Sequence, residues 1–356
     1  MRKHTQAATA LVAAAVTVLA TGGIAQAAGP PHTSPRHPKQ VTVRTQKVIS
    51  LPGVGGHGDV VTVDPAAHTA YIAHSPDNDV VVLDTVHNTI KTVIPDIPSA
   101  NGIAYTADYV FVASAPTNSV KVISKATWKI IDSVPSGGKT PDAIYSDPHE
   151  HSVFVVNDDT STMEEFSATA PFTVLGTLAL PPSAAGSHTG PDLGTYVAAS
   201  DRIYQAVDNQ VLVIDPKTRT ITHTFTLPLP AGSAAKDMYY DAPRHLLWVA
   251  TSSPEVLALN PQTGRVLYTV KTLSGADQIA GDPDRGLLFV GEGQAGVMGV
   301  IDLATHSNIA NVATEAGFHT LDYLPHKGIV YAYYNKSNTI HVDKITMKWA
   351  EKPKNQ

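Results

Sequence analysis

A unit of roughly forty residues recurs seven times along this chain, and this repeat constrains the fold more than any other feature. Each unit opens with a short polar residue followed by a β-type run, as in Asp59-VVTVDP and Asp142-AIYSDP. The seven starts are separated by 42, 41, 50, 45, 40 and 42 residues. Such a period, built from short alternating runs, indicates one small β-sheet per repeat.

The later part of each repeat supplies the remaining strands. A second run opens with an aromatic residue in every unit, as in Tyr71-IAH and Trp248-VAT. A third run reads like VKVIS or VLVID, and most copies then turn through Asp, Ser or Asn followed by x-x-Thr, whose short side chain bonds the turn backbone. A fourth run closes the unit, as in Arg265-VLYTV. The sequence therefore predicts an all-β, seven-bladed β-propeller with four-stranded blades.

The seventh repeat has three runs after its start and lacks a fourth. Residues 41–51 (VTVRTQKVISL) alternate like an outer strand and precede the first repeat. Pairing them with the last blade would close the ring and remove the open sheet edges. We therefore predict a propeller over residues 41–350, preceded by a disordered spacer over 28–40 and followed by a tail over 351–356.

The first 27 residues are typical of a secretory signal peptide. Arg2 and Lys3 give a positive start, a small-residue apolar run covers 7–20, and Ala25-Gln26-Ala27 is an A-x-A cleavage site. The apolar run is short and Ala-rich for a transmembrane helix. We expect a mature protein without a membrane span, located in a bacterial periplasm or secreted.

Composition narrows the classes of partner. The chain has no cysteine, which excludes disulfides, thiolate nucleophiles and Cys-ligated zinc. Once Arg2 and Lys3 are removed with the signal, 23 of the 25 basic residues remain against 31 acidic ones. An acidic surface argues against nucleic-acid binding, which depends on neutralising phosphates. We expect a monomer.

The Asp-led inner run, the aromatic-Val-Ala second run and the V-x-V-I-D-x-x-T third run resemble the YVTN-repeat, or YncE-like, family of exported bacterial propellers. The resemblance covers residues 41 to about 350 and lies in the form of the repeat. It implies the propeller fold. Family members are mostly of unsettled role; at least one is associated with DNA, and relatives include metal-dependent lactonases and lyases.

The polar residues that open the repeats form the main candidate site. Because inner strands surround the central channel of a propeller, equivalent positions should form a ring at one mouth. The predicted ligand-binding residues are Asp59, Asn101, Asp142, Asp192, Asp237, Asp277, His319 and the adjacent His57. Converging carboxylates repel one another unless a cation or donors relieve them, although each Asp could instead accept backbone bonds at its own strand.

Oxygen-rich rings suit Ca²⁺ or Mg²⁺. The second runs end at the same mouth, so the predicted metal set is Asp142, Asp277, Asn157, Glu292 and His74. No cofactor other than such a divalent ion is implied. The motif His149-Glu150-His151 falls in a hairpin at the opposite face, and we interpret it as a solvated turn.

Three functions remain open. The favoured one is a non-enzymatic binding module that captures a small ligand, a cation or a protein partner at the Asp-lined mouth. The second is a metal-dependent hydrolase or lyase of the lactonase type, in which a divalent ion polarises a carbonyl oxygen. The third is a structural cell-surface interaction protein. The absence of G-x-S-x-G and H-E-x-x-H motifs favours the first.

Overall fold

The computed structural model describes residues 38–183 and 190–349. These residues form seven four-stranded antiparallel sheets and two short 3-10 helices, Ser75–Asp77 and Ala115–Thr117. In six sheets the strands follow one another in chain order from the inside outward. The predicted seven-bladed β-propeller is confirmed.

The blades have the following strands. Blade 1 contains β2 (Val61–Asp64), β3 (Thr69–His74), β4 (Asp79–Asp84) and β5 (Thr89–Ile94), and blade 2 contains β6 (Ala100–Tyr105), β7 (Tyr109–Ser114), β8 (Ser119–Ser124) and β9 (Lys129–Pro135). Blade 3 contains β10 (Pro141–Asp147), β11 (Ser152–Asn157), β12 (Thr162–Ser167) and β13 (Val174–Ala179), and blade 4 contains β14 (Pro191–Val197), β15 (Arg202–Val207), β16 (Gln210–Asp215) and β17 (Thr220–Thr226). Blade 5 contains β18 (Ala235–Asp241), β19 (Leu246–Thr251), β20 (Glu255–Leu259) and β21 (Val266–Lys271), and blade 6 contains β22 (Ile279–Asp282), β23 (Leu287–Glu292), β24 (Val297–Asp302) and β25 (Ser307–Ala313).

Blade 7 joins the two ends of the propeller. It contains β26 (Thr320–Leu324), β27 (Ile329–Tyr334), β28 (Thr339–Trp349) and, as its outer strand, β1 (Pro38–Ser50). β1 runs antiparallel to β28, with Val41 opposite Met347 and Ser50 opposite Thr339. The predicted closure by the N-terminal strand is confirmed, and β1 begins within the stretch 28–40 predicted as spacer. The predicted signal peptide, residues 28–37 and the tail 351–356 lie outside the described residues.

Burial follows the position of each strand in its blade. All six residues of β3 and of β19 are buried, because the second strand packs against a neighbouring blade on each face. The fourth strands are largely exposed, as in β17, where five of the seven residues are exposed, because they lie at the rim. The buried apolar residues form seven clusters, and each cluster combines residues of two adjacent blades. The core is therefore a ring of interfaces between blades.

The third strand of blade 3 departs from the repeat, because β12 reads TMEEFS where other blades have an apolar run. β12 carries Glu164 and Glu165, each only 4% exposed. Glu165 receives a hydrogen bond from Arg219 of blade 4 at 2.6 Å, and Glu164 receives one from Thr177. Arg219 thus compensates the charge of Glu165 from the next blade, whereas Glu164 has a neutral donor and burial raises its pKa. Within the described residues, no helix is long and apolar enough to cross a membrane.

Candidate ligand-binding mouth of the channel

The strand register defines which inner residues lie at one level of the channel. In blade 3, Ile144 pairs with Val155, and Asp142 lies two residues before Ile144. The same offset from the equivalent pairs gives one residue in every blade. We call this set the mouth ring: Asp59, Asn101, Asp142, Asp192, Lys236, Asp277 and His319.

The predicted ring member Asp237 is displaced by one residue. In blade 5 the pair equivalent to Ile144–Val155 is Met238–Val249, so Lys236 occupies the ring position. Because successive strand residues point to opposite faces, a slip of one residue changes the environment of the side chain completely. Asp237 is 8% exposed and accepts hydrogen bonds from the backbone amides of Met238 at 2.7 Å and Ile279 at 2.9 Å. It joins blade 5 to blade 6.

Asp237, Gln278 and Thr320 each follow a mouth-ring position by one residue, and we call them the bracing row. Gln278 and Thr320 link blades 6, 7 and 1. Gln278 Oε1 accepts hydrogen bonds from the amides of Leu321 at 3.1 Å and Val61 at 3.2 Å, and its Nε2 donates to the Val61 carbonyl at 2.9 Å. Thr320 Oγ1 also accepts from the Val61 amide, at 2.8 Å. These contacts hold the closing blades together at the channel wall. Backbone bonding accounts for Asp237 and in part for Asp192, which accepts the amide of Leu193 at 2.8 Å, but not for the other acids of the mouth ring.

Several acids at the mouth share one lysine. Lys236 forms an ion pair with Asp192, and Asp158, in the turn after β11, adds a further carboxylate. Desolvation and the neighbouring acids Asp277 and Asp192 raise the pKa of Asp59 to about 8. Desolvation and Asp142 raise the pKa of Asp158 to about 9. Desolvation followed by the charge of Asp59 also places the pKa of Asp142 well above its ordinary value.

Burial alone would lower the pKa of Lys236, but Asp192 and Asp277 outweigh it and raise the pKa. The lysine therefore stays charged. It is the cation that the mouth-ring acids have in common, since it also interacts with Asp59 and Asp142. One lysine does not neutralise this number of carboxylates once they ionise, so the mouth favours cations over anions increasingly as the pH rises through their raised pKa values.

Three of the acids have no hydrogen-bond donor among the described residues. Asp59, Asp142 and Asp277 are half-buried, and the nearest basic atom to Asp59 is His57 Nε2 at 3.9 Å. The side chain of Asp59 is 22% exposed. Acids that only supported their own strands would accept backbone bonds, as Asp237 does. These three are open to a ligand.

Two histidines cover one side of the mouth. The rings of His57 and His319 are stacked, with centroids 4.5 Å apart and an angle of 12°. Desolvation and the adjacent His319 lower the pKa of His57, against the opposing effect of Asp277. His57 is thus mainly neutral at pH 7 and adds little positive charge. Asn101, on the other side, lies 3.5 Å from the Ser99 hydroxyl.

The three other members of the predicted metal set are fully buried and have partners in their own surroundings. His74 contacts Asn338 at 2.9 Å and Asp79 at 3.2 Å. Asn157 donates to the Ser136 carbonyl at 2.7 Å, and Glu292 accepts from the amides of Leu273 and Ser274 at 2.6 and 3.0 Å. They hold the loops between blades.

Among the described residues, one group of three His, Asp or Glu side chains comes close enough to share a metal ion. It consists of Asp147, His149 and Asp201, at the other end of the inner strands, and none of these belongs to the predicted metal set. No three mouth-ring acids among the described residues are therefore gathered as closely as three ligands of a bare ion.

A cleft of about 770 Å³ opens at that other end, between blades 1, 2 and 3. Its wall includes Tyr105, Tyr109, Ala168 and the ion pair of Asp64 with Lys125. It is largely apolar; Lys125 neutralises Asp64, whereas Asp147, which also lines the cleft, forms no ion pair with a Lys or Arg of the described residues. The cleft offers space for a small apolar molecule, whereas the mouth offers unneutralised charge.

The fold and the mouth define a class, the seven-bladed propellers with an acidic channel opening. No family profile and no curated protein matches the chain. Among solved structures, the chain is similar to hydrazine synthase of Kuenenia stuttgartiensis, with a TM-score of 0.71 over 84% of this chain and 97% of that one. The identity is 14%, so this likeness concerns the fold alone. Membership of the YVTN-repeat family stays a prediction.

Proposed function

We propose that this chain is an exported binding module that captures a cationic ligand at the mouth ring. The observation that carries the proposal is the imbalance of charge. Five carboxyl groups, those of Asp59, Asp142, Asp158, Asp192 and Asp277, converge on one channel opening, where the described residues supply one lysine, Lys236, in an ion pair with Asp192. Export is inferred from the first 27 residues.

The spacing of the acids selects the kind of cation. Bare Ca²⁺ binds oxygen atoms at 2.3–2.6 Å, which requires ligand atoms close to one another. In the described structure no three of the mouth-ring acids bring ligand atoms within 4.8 Å of one another. A larger cation, either a hydrated divalent ion or an organic polyamine, fits a ring of separated carboxylates better. Ammonium groups and ion-bound waters are both hydrogen-bond donors, which Asp59, Asp142 and Asp277 lack.

Proton release should accompany binding. A cation stabilises the ionised form of a carboxylate, and the pKa of Asp59 is raised to about 8 and that of Asp158 to about 9. Affinity is therefore expected to rise between pH 6 and pH 9 as these groups lose their protons.

Calorimetric titration of the chelator-treated protein with Ca²⁺, Mg²⁺ and spermidine tests the proposal and separates the two sources of positive charge. The double variant Asp142→Asn, Asp277→Asn should lose at least about 1.4 kcal/mol of binding free energy, a tenfold change in affinity. The matched control is Asp132→Asn with Asp284→Asn, which removes the same charge from exposed positions.

The control should bind like the wild type. Unchanged affinity in the mouth variant, or no binding of any of the three cations, would overturn the proposal. Metal-dependent turnover of a lactone by the wild type, lost in the mouth variant, would instead support the lactonase-type alternative.

A further inference from the structure

The far ends of the inner strands carry a second row of acids. Four blades end this strand with an aspartate, and we call them the turn aspartates: Asp64, Asp147, Asp241 and Asp282. Each is at most 1% exposed. Their carboxylates accept backbone amides of the following turn, as Asp282 does from Arg285 at 3.0 Å. A buried carboxylate is costly unless a positive charge compensates it.

Three turn aspartates have such a charge. Asp241 pairs with Arg244 at 3.1 Å and Asp282 with Arg285 at 2.9 Å, in both cases three residues further on. Asp64 pairs with Lys125, which reaches it from blade 2. The repeat thus contains a regular place for a cation beside each of these turns.

Blade 3 departs from this pattern. The residue three positions after Asp147 is Glu150, an acid where blades 5 and 6 have arginine. Asp147 Oδ1 accepts the amides of His149 at 2.8 Å and Glu150 at 3.2 Å. Its Oδ2 is buried and accepts no hydrogen bond of ordinary geometry from the described residues, although the Tyr196 hydroxyl lies beside the carboxylate. No Lys or Arg of the described residues forms an ion pair with it.

Other ligand atoms surround this uncompensated acid. Asp147, His149 and Asp201 each offer an atom, and these atoms all lie within 4.8 Å of one another. Asp201 belongs to the equivalent turn of blade 4 and lies 3.6 Å from His149 Nδ1. The Tyr196 hydroxyl donates to Asp201 at 2.9 Å and lies 3.1 Å from His149 Nδ1, so it orients both side chains.

We propose that a divalent transition-metal ion binds between blades 3 and 4 through Asp147, His149 and Asp201. The ion occupies the place that Arg244 and Arg285 fill in blades 5 and 6. One imidazole nitrogen with two carboxylates suits Zn²⁺, Mn²⁺ or Co²⁺ better than Ca²⁺ or Mg²⁺, which prefer oxygen alone. Three protein ligands leave a position for water, and they join two blades at the face opposite the mouth.

The experiment uses the full chain carrying Asp142→Asn and Asp277→Asn, so that the mouth does not contribute. After removal of metal by a chelator, Zn²⁺ is titrated by calorimetry and Co²⁺ by visible absorption, which reports coordination directly. The expected result is one ion per chain. His149→Gln and Asp201→Asn, both at partly exposed positions, should each weaken binding at least about tenfold and reduce the Co²⁺ bands.

His326→Gln is the matched control. His326 contacts Asp284 at 2.8 Å in an equivalent exposed turn, without a third ligand. Its removal should leave affinity and spectrum unchanged. Absence of Zn²⁺ binding, unchanged binding after His149→Gln, or an equal loss after His326→Gln would each overturn the proposal. Circular dichroism of every variant confirms that the fold is kept.

Discussion

The two ends of the inner strands handle negative charge in different ways. At the turns, Asp64, Asp241 and Asp282 are buried, and each has a cation of its own. At the mouth, the acids are half-buried and share Lys236. Charge that is compensated locally stabilises a fold, whereas charge left uncompensated beside solvent is available to a ligand. Asp147 is the exception at the turn end, and it is there that we place a metal ion.

The mouth forms only when the ring of blades is closed, because closure stacks His319 of blade 7 on His57, which precedes blade 1. A protein without residues 38–50 lacks β1 and exposes the whole edge of β28. We expect it to lose most of its free energy of unfolding, which is about 5–15 kcal/mol for a domain, and to aggregate through the open edge. A protein starting at Pro38 is the control, and thermal melts that coincide for the two would contradict closure.

The three turn aspartates that pair with Lys or Arg, namely Asp64, Asp241 and Asp282, should be needed for stability whatever cations are present. Asp282→Ala leaves Arg285 and the turn amide without their acceptor, so urea denaturation should show a loss of about 3 kcal/mol. The same loss should appear in chelator and in excess Ca²⁺. Asp284→Ala, in the exposed pair with His326, should change stability by no more than about 0.5 kcal/mol. Equal losses of stability in Asp282→Ala and Asp284→Ala would contradict the claim that the buried, paired aspartates stabilise the fold more than the exposed ones.

The mouth acids should behave in the opposite way. Asp142→Asn removes repulsion and should raise stability at pH 8 by about 1 kcal/mol, or about 2 °C in melting temperature. A carboxyl with a raised folded pKa stabilises the fold at low pH, and this contribution is lost as the pH rises through that pKa. For Asp59 and Asp158 the loss extends from about pH 4 to values of about 8 and 9.

The gain from Asp142→Asn should therefore shrink at pH 5, where its neighbours are protonated. Asp237→Asn is the control within the same strands: each oxygen of Asp237 accepts one backbone amide, and the Asn side-chain amide group cannot accept a hydrogen bond, so the melting temperature should fall at both pH values. A stabilised Asp237→Asn variant, or a destabilised Asp142→Asn variant at pH 8, would show that the mouth ring and the bracing row have been assigned the wrong way round.

The number of blades, their four-stranded form and the closing strand were all readable from the sequence. Repeat spacing and alternation are local signals, and a missing fourth run in the last repeat indicates where the first strand must pair. The acidic mouth was also predictable in outline, because Asp59, Asp142, Asp192 and Asp277 recur at the start of the repeat.

Only the tertiary structure decided which of two adjacent residues at the start of an inner strand occupies the mouth ring. Aligning the repeats by their aspartates selected Asp237, but the pairing of Met238 with Val249 places Lys236 in the ring. A shift of one residue does not change the composition of the repeat, but it moves each side chain of the strand to the opposite face. The meeting of Asp147 and His149 with Asp201 has the same origin, since two turns from adjacent blades converge only when the sheets pack side by side.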